Sequence, residues 1–267
     1  PGKEVVILGS GDIGMIMARR MTLEGAHVKA VYEVQPYPSG LPRNIEQCLN
    51  DYGIPLYLSH SVVKIKGEKR IEGVTVVQVD EKMRPIPGTE EDFSCDTLVL
   101  SVGLIPENEL SRSLDLEMHP LTSGPIVDQR RRTSLPGFYA AGNVVHVHDL
   151  VDFVSEEAEI AGKFAALDAQ EKLDGDLRTV NVIASNGVRT CVPQRLSLPE
   201  NGEKARLFMR VANPERKVKL EVKSGENVIL TKMLPVAKPS EMIAVDIPAE
   251  KTALIGETLT VALNKEA

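Results

Sequence analysis

The stretch Lys3–Gly14, KEVVILGSGDIG, decides the fold of the amino-terminal part of the chain. Lys3 to Leu8 is a short run rich in β-branched residues, which is typical of a buried strand in a parallel sheet. Glycines follow at 9, 11 and 14, and apolar residues recur at helical spacing from Ile13 to Glu24, before Gly25. The stretch therefore predicts a strand, a tight glycine turn and a helix in direct succession.

The glycine turn has the spacing of a dinucleotide-binding βαβ unit. Gly9 permits the tight turn, Gly11 lets the backbone approach a pyrophosphate, and Gly14 lets the helix and strand pack closely. The N–H groups of the following helix attract the negative charge of a phosphate. We therefore expect the cofactor to contact Gly9, Ser10, Gly11, Asp12, Ile13 and Gly14. A glycine-rich turn that binds nothing is the alternative.

The second predicted strand, Val28 to Val34, carries an acidic residue at its end. Glu33 lies 19 residues after Gly14, where a carboxylate can accept hydrogen bonds from ribose hydroxyls. The residues that follow include no arginine that would hold a 2′-phosphate, so the sequence favours NAD(H) over NADP(H). The alternative is an acid at a strand end that faces solvent.

The predicted pattern of strands and helices changes twice along the rest of the chain. A helix capped by Asn44 and strands at 55–58, 62–66, 73–79 and 92–102 predict a βαβαβ unit with an attached β-meander. The unit is expected to end in a last strand, Thr97–Val102, before Gly103. A long helix is predicted from Ser155 to Leu173, with Glu156 and Glu157 in its first turn. Beyond Gly175, seven short strands predict a β-sandwich. They are 179–184, 188–192, 205–211, 216–223, 227–234, 241–247 and 257–263.

Charge and cysteine content narrow the class of protein. The net charge of −7 argues against a general binder of nucleic acid or of anionic membranes, and no apolar run is long enough to insert into a membrane. The basic run Arg130–Arg132 lies between acidic stretches and is predicted to be a solvated turn. Cys48, Cys95 and Cys191 stand far apart, as expected for reduced thiols in a cytoplasmic protein.

Two further segments carry a family resemblance. Cys95–Pro106 reads CDTLVLSVGLIP and Gly137–Asn143 reads GFYAAGN. Together with GSGDIG, in this order, they resemble the FAD-dependent pyridine nucleotide–disulfide oxidoreductases, and most nearly a bacterial NADH-oxidase-like branch. The resemblance covers about residues 3–170. It implies a flavoprotein in which NAD(H) and FAD exchange a hydride, with electrons passing to an acceptor that the sequence does not identify.

The resemblance also implies a domain plan. In that family the NAD domain is inserted between two halves of an FAD domain, and the first half carries its own glycine motif upstream. We therefore expect an α/β fold with a Rossmann-like NAD domain at 1–103, the second half of an FAD domain at 104–175, and a β-sandwich at 176–267. A fragment without the first FAD half is expected to bind NAD(H) weakly and to carry out no flavin chemistry.

Several site residues are carried over from the family's motifs. Gly103 is expected near the NAD pyrophosphate and nicotinamide, and Gly142 and Asn143 near the ribityl-phosphate part of FAD. The family's usual residue at 143 is aspartate; Asn143 keeps an acceptor oxygen and loses the charge. No catalytic side chain is implied, because the two cofactors carry the chemistry.

The segment around Phe153 and Val154 is expected to enter a helix whose N-terminus faces the flavin pyrimidine ring. The helix dipole would stabilise the negative charge of reduced flavin by about 1 kcal/mol. Glu156 and Glu157 would oppose this effect if they pointed inward. Packing of this helix through apolar side chains such as Phe164 is the alternative.

His146 and His148 form a candidate metal site, because alternation places both imidazoles on one face of an extended segment. Only two or three potential ligands are local, however, and no second cluster converges by sequence. We therefore predict no metal and favour polar contacts on the flavin side, or plain loop histidines.

Two other functions remain open. The nucleotide site could sense NAD(H) without turnover, as a binding module. The β-sandwich carries no catalytic motif and could dock a partner dehydrogenase or an electron carrier, or mediate self-association. Val102, Phe138 and Tyr139 are expected to expose apolar surface, which also suggests association with another copy.

Overall fold

The computed structural model describes residues 2–173 and 177–265. The chain divides into two compact units, Pro1–Gly103 and Leu104–Ala267. The predicted boundary between residues 175 and 176 lies outside the described residues, so the division of the second unit into two domains stays a prediction.

The first unit alternates strands and helices, as its sequence predicts. Its strands are β1 (Glu4–Leu8), β2 (His27–Glu33), β3 (Leu56–Leu58), β4 (His60–Lys66), β5 (Gly73–Gln78), β6 (Glu91–Ser94) and β7 (Thr97–Leu100). Its helices are α1 (Asp12–Leu23) and α2 (Pro42–Cys48), followed by a 3₁₀ turn at Asn50–Tyr52. The predicted stretch 92–102 contains two strands, β6 and β7, which belong to different sheets. The predicted last strand, Thr97–Val102, is present as β7.

A parallel sheet with the strand order β3-β2-β1-β7 forms the centre of the first unit. Alternate residues of β1 serve two cores: Val5 and Ile7 pack with the helices, and Val6 packs with the antiparallel meander β4-β5-β6. Both faces of the sheet are therefore covered, which explains the continuous apolar run in β1. The predicted Rossmann-like domain with a β-meander is confirmed.

Asn44 does not cap α2. The helix begins at Pro42 after Leu41, and Pro fits the first helical position because its missing N–H would have no partner there. Asn44 lies inside the first turn, where its side-chain amide donates to Asp12. The asparagine therefore joins two helices instead of starting one.

The second unit carries short helices, one long helix and a two-sheet sandwich. Its helices are α3 (Glu109–Ser113), α4 (Val151–Ala169) and α5 (Ala249–Thr252), with a 3₁₀ turn at Gly142–Val144. Its strands are β8 (Arg178–Ala184), β9 (Val188–Val192), β10 (Arg195–Leu198), β11 (Ala205–Val211), β12 (Glu215–Ser224), β13 (Asn227–Ala237), β14 (Ile243–Ile247) and β15 (Thr258–Lys265).

The sandwich consists of a five-stranded sheet, β10-β8-β15-β12-β13, and a three-stranded sheet, β14-β11-β9. Apolar residues of both sheets form one core that includes Leu196, Leu207, Leu220 and Val261. The predicted sandwich is confirmed, and all seven predicted strands are present. The strand β10 was not predicted, because its four residues, RLSL, follow the predicted strand 188–192 closely.

The long helix begins earlier than predicted. α4 starts at Val151, four residues before Ser155, so Glu156 and Glu157 lie in its second turn. Glu157 is the one buried residue of this helix, whereas Phe164 is half-buried. Polar contacts of Glu157 therefore hold α4 in place, in addition to the apolar packing that the sequence predicts.

The three cysteines are buried and unbridged, in agreement with the sequence. Burial raises the pKa of the Cys191 thiol to about 12, so this thiol stays protonated at neutral pH. Among residues 2–173 and 177–265, none of the helices contains an apolar stretch of the length that spans a bilayer.

Candidate functional site

The carboxyl ends of three neighbouring strands meet at one edge of the parallel sheet. Gly9 follows β1 and donates its N–H to Tyr32 O of β2 at 2.7 Å. Ser101 follows β7 and donates its N–H to Leu8 O, also at 2.7 Å. Ligands of open parallel sheets bind beyond this edge, so the first unit places a candidate site at the glycine turn.

The three glycines of the turn are required for different reasons. Gly9 has a φ of +103°, and a Cβ there would lie 2.0 Å from Ser101 O. A Cβ on Gly14 would lie 2.5 Å from Gly9 O. A Cβ on Gly11 would have Ser101 Oγ, at 3.7 Å, as its nearest contact within the described chain. Protein packing therefore demands glycine at 9 and 14 but not at 11.

The N-terminus of α1 is open. Gly11 is its N-cap residue, and no side chain among residues 2–173 and 177–265 makes the capping hydrogen bond. The carboxylate of Asp12 instead accepts hydrogen bonds from Leu41 N at 2.8 Å and Asn44 Nδ2 at 2.7 Å. The first N–H groups of α1 therefore remain available to an anion.

Glu33 lies against the glycine turn and is only 4% exposed. Its Oε2 accepts hydrogen bonds from the N–H of Ser10 at 3.0 Å, from Ser10 Oγ at 2.6 Å and from Ser39 Oγ at 2.9 Å. Its Oε1 accepts one from Gln35 N at 2.9 Å. The alternative prediction, that Glu33 is a strand-end acid facing solvent, is therefore wrong. Contact with a ribose stays a prediction, for which Oε1 has the remaining acceptor capacity.

In the second unit, Gly142 and Asn143 begin a 3₁₀ turn. Gly142 has a φ of +74°, and a Cβ there would lie 3.1 Å from Val154 Cγ1. Its N–H donates to Glu157 Oε2 at 2.9 Å. The exposed side chain of Asn143 accepts the N–H of His148 through Oδ1 at 3.1 Å. The turn is thereby fixed to α4 and to the histidine segment.

A buried cluster lies beneath this turn. The Nε2 atoms of His146 and His148 lie 2.9 and 3.0 Å from separate oxygens of Glu157, and the imidazole centroids are 4.2 Å apart. The guanidinium of Arg131 lies 3.2 Å from Glu157 Oε1. Arg131 and Glu157 are both fully buried. One carboxylate thus joins three segments of the second unit.

The predicted solvated turn at Arg130–Arg132 is wrong. Arg130 and Arg131 are 1% and 0% exposed, and the three guanidinium groups pair with Glu203 at 2.7 Å, Glu157 at 3.2 Å and Asp128 at 2.8 Å. A buried arginine is tolerated when a carboxylate neutralises it. Glu203 and Glu157 are distant in sequence from the arginines. A prediction from neighbouring residues therefore could not include them.

The histidine cluster has a third member that the sequence analysis missed. The ligand atoms of His146, His148 and Glu157 lie within 4.8 Å of one another, close enough to hold a metal ion. Both imidazoles, however, already pair with the carboxylate, and a cation there would lie beside the positive charge of Arg131. This electrostatic cost disfavours a cation at the cluster, and the absence of a metal stays a prediction.

Charge and burial set the protonation of this cluster. Burial works to raise the pKa of Glu157, but hydrogen bonds from His146 and His148 and the charge of Arg131 hold it below its ordinary value. Burial lowers the pKa of His146, although Glu157 opposes the shift. At neutral pH the cluster therefore contains an ionised glutamate and a neutral His146.

Comparison with known proteins agrees with this geometry. The family model for pyridine nucleotide-disulphide oxidoreductases matches residues 1–186. The chain belongs to this family. It is 27% identical over 181 residues to an NADH oxidase from Methanocaldococcus jannaschii, covering 65% of this chain and 36% of the relative. It is 23% identical over 143 residues to a ferredoxin–NADP reductase from Picrophilus torridus, covering 54% and 41%.

A solved structure is similar in fold over part of the chain. Thioredoxin reductase from T. acidophilum superposes with a TM-score of 0.52 at 26% identity, over 63% of this chain and 53% of that one. The chain spans less than half the length of each of the two curated relatives named above.

Most of the residues expected from the family motifs come together within their own unit. Gly9–Gly14 and Glu33 adjoin in the first unit, and Gly142, Asn143 and Val154 adjoin in the second. Phe153 is half-buried against Phe208, with ring centroids 5.3 Å apart. Gly103, with a φ of +99°, is exposed just after β7.

The apolar surface expected from three side chains is present at two of them. Val102 and Phe138 are 67% and 42% exposed. Tyr139 is half-buried, and its hydroxyl donates to Asp168 Oδ2 at 2.9 Å. Association with another copy stays a prediction.

The different demands on the three glycines can be tested by alanine substitution. We expect Gly14→Ala to lower the free energy of unfolding by roughly 1–3 kcal/mol, the usual cost of overpacking. Gly11→Ala should change it by less than about 1 kcal/mol but weaken NADH binding at least about tenfold. Urea unfolding followed by circular dichroism and NADH titration measure the two effects. Equal losses of stability in both variants would contradict this assignment.

The buried cluster predicts a loss of stability in acid. The unfolded chain takes up protons at His146 below about pH 6.5, whereas the folded chain resists them, so stability falls as pH drops through this range. The lowered pKa of Glu157 extends the loss below about pH 4.5. At pH 7, Glu157→Gln should cost about 3 kcal/mol, because Arg131 loses its counter-ion. Urea unfolding from about pH 3.5 to 8 covers both pH ranges, and the pH 7 measurement gives the effect of Glu157→Gln. The exposed Glu109→Gln is an inert control.

Proposed function

We propose that this chain supplies the NAD(H)-binding domain and the second half of the FAD-binding domain of a flavoprotein oxidoreductase, in which a hydride passes between the two cofactors. The main support is the contrast at the glycine turn. Gly9 and Gly14 are explained by contacts within the protein, whereas Gly11 is not. A glycine without a packing role at an uncapped helix N-terminus leaves room for the close approach of a pyrophosphate.

The charge of Glu33 favours NAD(H) over NADP(H). The carboxylate is held at the end of β2 by four donors from the turn and the following loop. No salt bridge to it is formed within residues 2–173 and 177–265, so its negative charge is not neutralised and would repel a 2′-phosphate. Residues 34–36 contain no arginine that would reverse this preference.

The second unit has features that fit a flavin. The first turn of the 19-residue helix α4 has no side-chain cap in the described parts of the chain. Leu150 and Val151, at this end of the helix, are 51% and 74% exposed. Uncapped N–H groups beside exposed apolar side chains suit a planar ring that becomes negatively charged on reduction. FAD would supply the capacity to accept the hydride.

The side chain of Asn143 would contribute a donor as well as an acceptor. Its Oδ1 faces the N–H of His148, which leaves Nδ2 for the exposed side. We therefore propose that Asn143 offers an amide N–H to the ribityl-phosphate part of the flavin, in addition to the remaining lone pair on Oδ1.

The cofactor preference is tested by titrating the chain with NADH and NADPH. We expect NADH to bind at least about tenfold more tightly, and Glu33→Gln to reduce this ratio because the negative charge is removed. The chain contains no tryptophan, so NADH fluorescence can be followed without tryptophan emission. The exposed Glu46→Gln is the matched control. Tighter binding of NADPH by the unaltered chain would contradict the preference.

The proposed incompleteness of the flavin site predicts that the purified chain has no flavin absorption in the visible range. Half of a divided cofactor site makes fewer contacts, and FAD should therefore dissociate during purification. Absorption spectroscopy before and after denaturation measures bound flavin. A stoichiometric flavin band that survives gel filtration would show that the site is complete.

A further inference from the structure

We infer that the β-sandwich is an integral part of the flavin side of the protein, in which Arg206, Phe208 and Arg210 of β11 are positioning residues for Phe153 and for the segment 142–149. The inference rests on the proposed function, since that proposal places this segment beside the flavin. It assigns to the sandwich a role different from docking a partner through this face.

The alternation of β11 gives its sheet two buried faces. Ala205, Leu207, Met209 and Val211 point into the sandwich core. The intervening residues Arg206, Phe208 and Arg210 lie on the opposite face, because successive side chains of a strand alternate. On the neighbouring strand β9, Val192 pairs with Phe208 in register and packs with Val127 and Val145. The second face is therefore covered by the protein's own chain.

Phe208 is the centre of this second face. It is fully buried, and its ring lies 5.3 Å from the ring of Phe153 and 5.6 Å from that of His148, both edge to face. It also lies 5.9 Å from His146. One aromatic side chain of the sandwich thus contacts both the first turn of α4 and the histidine segment.

The two arginines of β11 contact the chain on either side of the start of α4. Arg206 lies 2.9 Å from Glu156 Oε2, and its guanidinium stands 5.9 Å from the centre of the Phe153 ring. Arg210 donates to Val147 O at 3.1 Å and to Asp149 Oδ1 at 3.2 Å. Met242 N, next to β14, donates to the other oxygen of Asp149 at 3.1 Å. The sandwich therefore fixes the backbone just before α4 and the side chains in its first two turns.

This anchoring matters because α4 has little apolar packing of its own. Its one buried residue is Glu157, whose carboxylate holds the N–H of Gly142. A shift of the first turn of α4 would therefore also move Gly142, and with it Asn143. The three residues of β11 control the relative placement of Asn143 and Phe153.

The test uses the full chain labelled with ¹⁵N and titrated with millimolar FAD. In the unaltered protein we expect FAD to shift the amide signals of Gly142, Asn143 and Phe153. Phe208→Leu keeps apolar volume but removes the ring. It should reduce the shift at Phe153 by at least about half and raise hydrogen exchange at Gly142 and His148 by about tenfold. Phe164→Leu makes the same substitution at a half-buried ring of α4, about three turns beyond Phe153. It is the control and should leave both readouts unchanged.

Arg210 provides an independent comparison. Arg210→Ala should have the same effect on the segment as Phe208→Leu, and Arg210→Lys should restore most of the FAD-induced shifts, because an ammonium can still donate to Val147 O. Arg210→Met keeps much of the bulk but cannot donate to Val147 O or Asp149 Oδ1, so it should resemble Arg210→Ala. A chain that needed only bulk at position 210 would instead respond to Arg210→Met as it does to Arg210→Lys. Urea unfolding shows that each variant is folded.

Three results would overturn the inference. They are an unaltered FAD response in Phe208→Leu and Arg210→Ala, an equal effect of Phe164→Leu, and the absence of any FAD-induced shift in residues 142–153 of the unaltered chain. A parallel NADH titration, read at Gly11, reports on the proposed nucleotide site separately. Failure of the flavin arm with a normal NADH response would therefore remove the role of the sandwich and leave NAD(H) binding in place.

Discussion

A carboxylate that is shielded from water must be satisfied by hydrogen-bond donors, and in each unit one buried glutamate meets this requirement at a glycine turn. Glu33 accepts the N–H and the hydroxyl of Ser10. Glu157 accepts the N–H of Gly142 and pairs with two imidazoles. In both units, hydrogen bonds offset the cost of burying a negative charge. The same hydrogen bonds fix the turn that we propose for a cofactor.

The two glutamates differ in the charge that they leave behind. Glu157 is neutralised by Arg131, and its neighbour Glu156 by Arg206. The inward glutamate of α4 therefore does not cancel the helix dipole, which was the concern raised by its sequence. Glu33 has donors but no cation bonded to it in the described chain, so its charge persists at the strand end. In the function that we propose, the first arrangement would allow a negatively charged reduced flavin beside α4, and the second would disfavour a second phosphate on the ribose.

The sequence predicts well whatever depends on local spacing. The glycine turn, the strands of the first unit and seven strands of the sandwich were all predicted, because period-two and helical patterns lie within a few residues. The start of α4 was placed four residues late, since Ser155 followed by two glutamates has the composition of a helix N-terminus. The real N-cap is Leu150, which has no capping side chain. Tertiary contacts, not capping chemistry, set this boundary.

The misjudged residues are those whose partners are distant in the chain. Arg131 was predicted to be solvated because its counter-ion, Glu157, lies on another element, and Glu157 was not recognised as the third member of the histidine cluster for the same reason. The strand β11 shows how far a local signal can go. Its sequence, ARLFMRV, places Phe208 between two arginines on the face opposite the core, a pattern that a face exposed to water would not require. A strand with large side chains on both faces indicates a sheet covered on both sides, and a sheet covered by its own chain cannot be a separate module on that face.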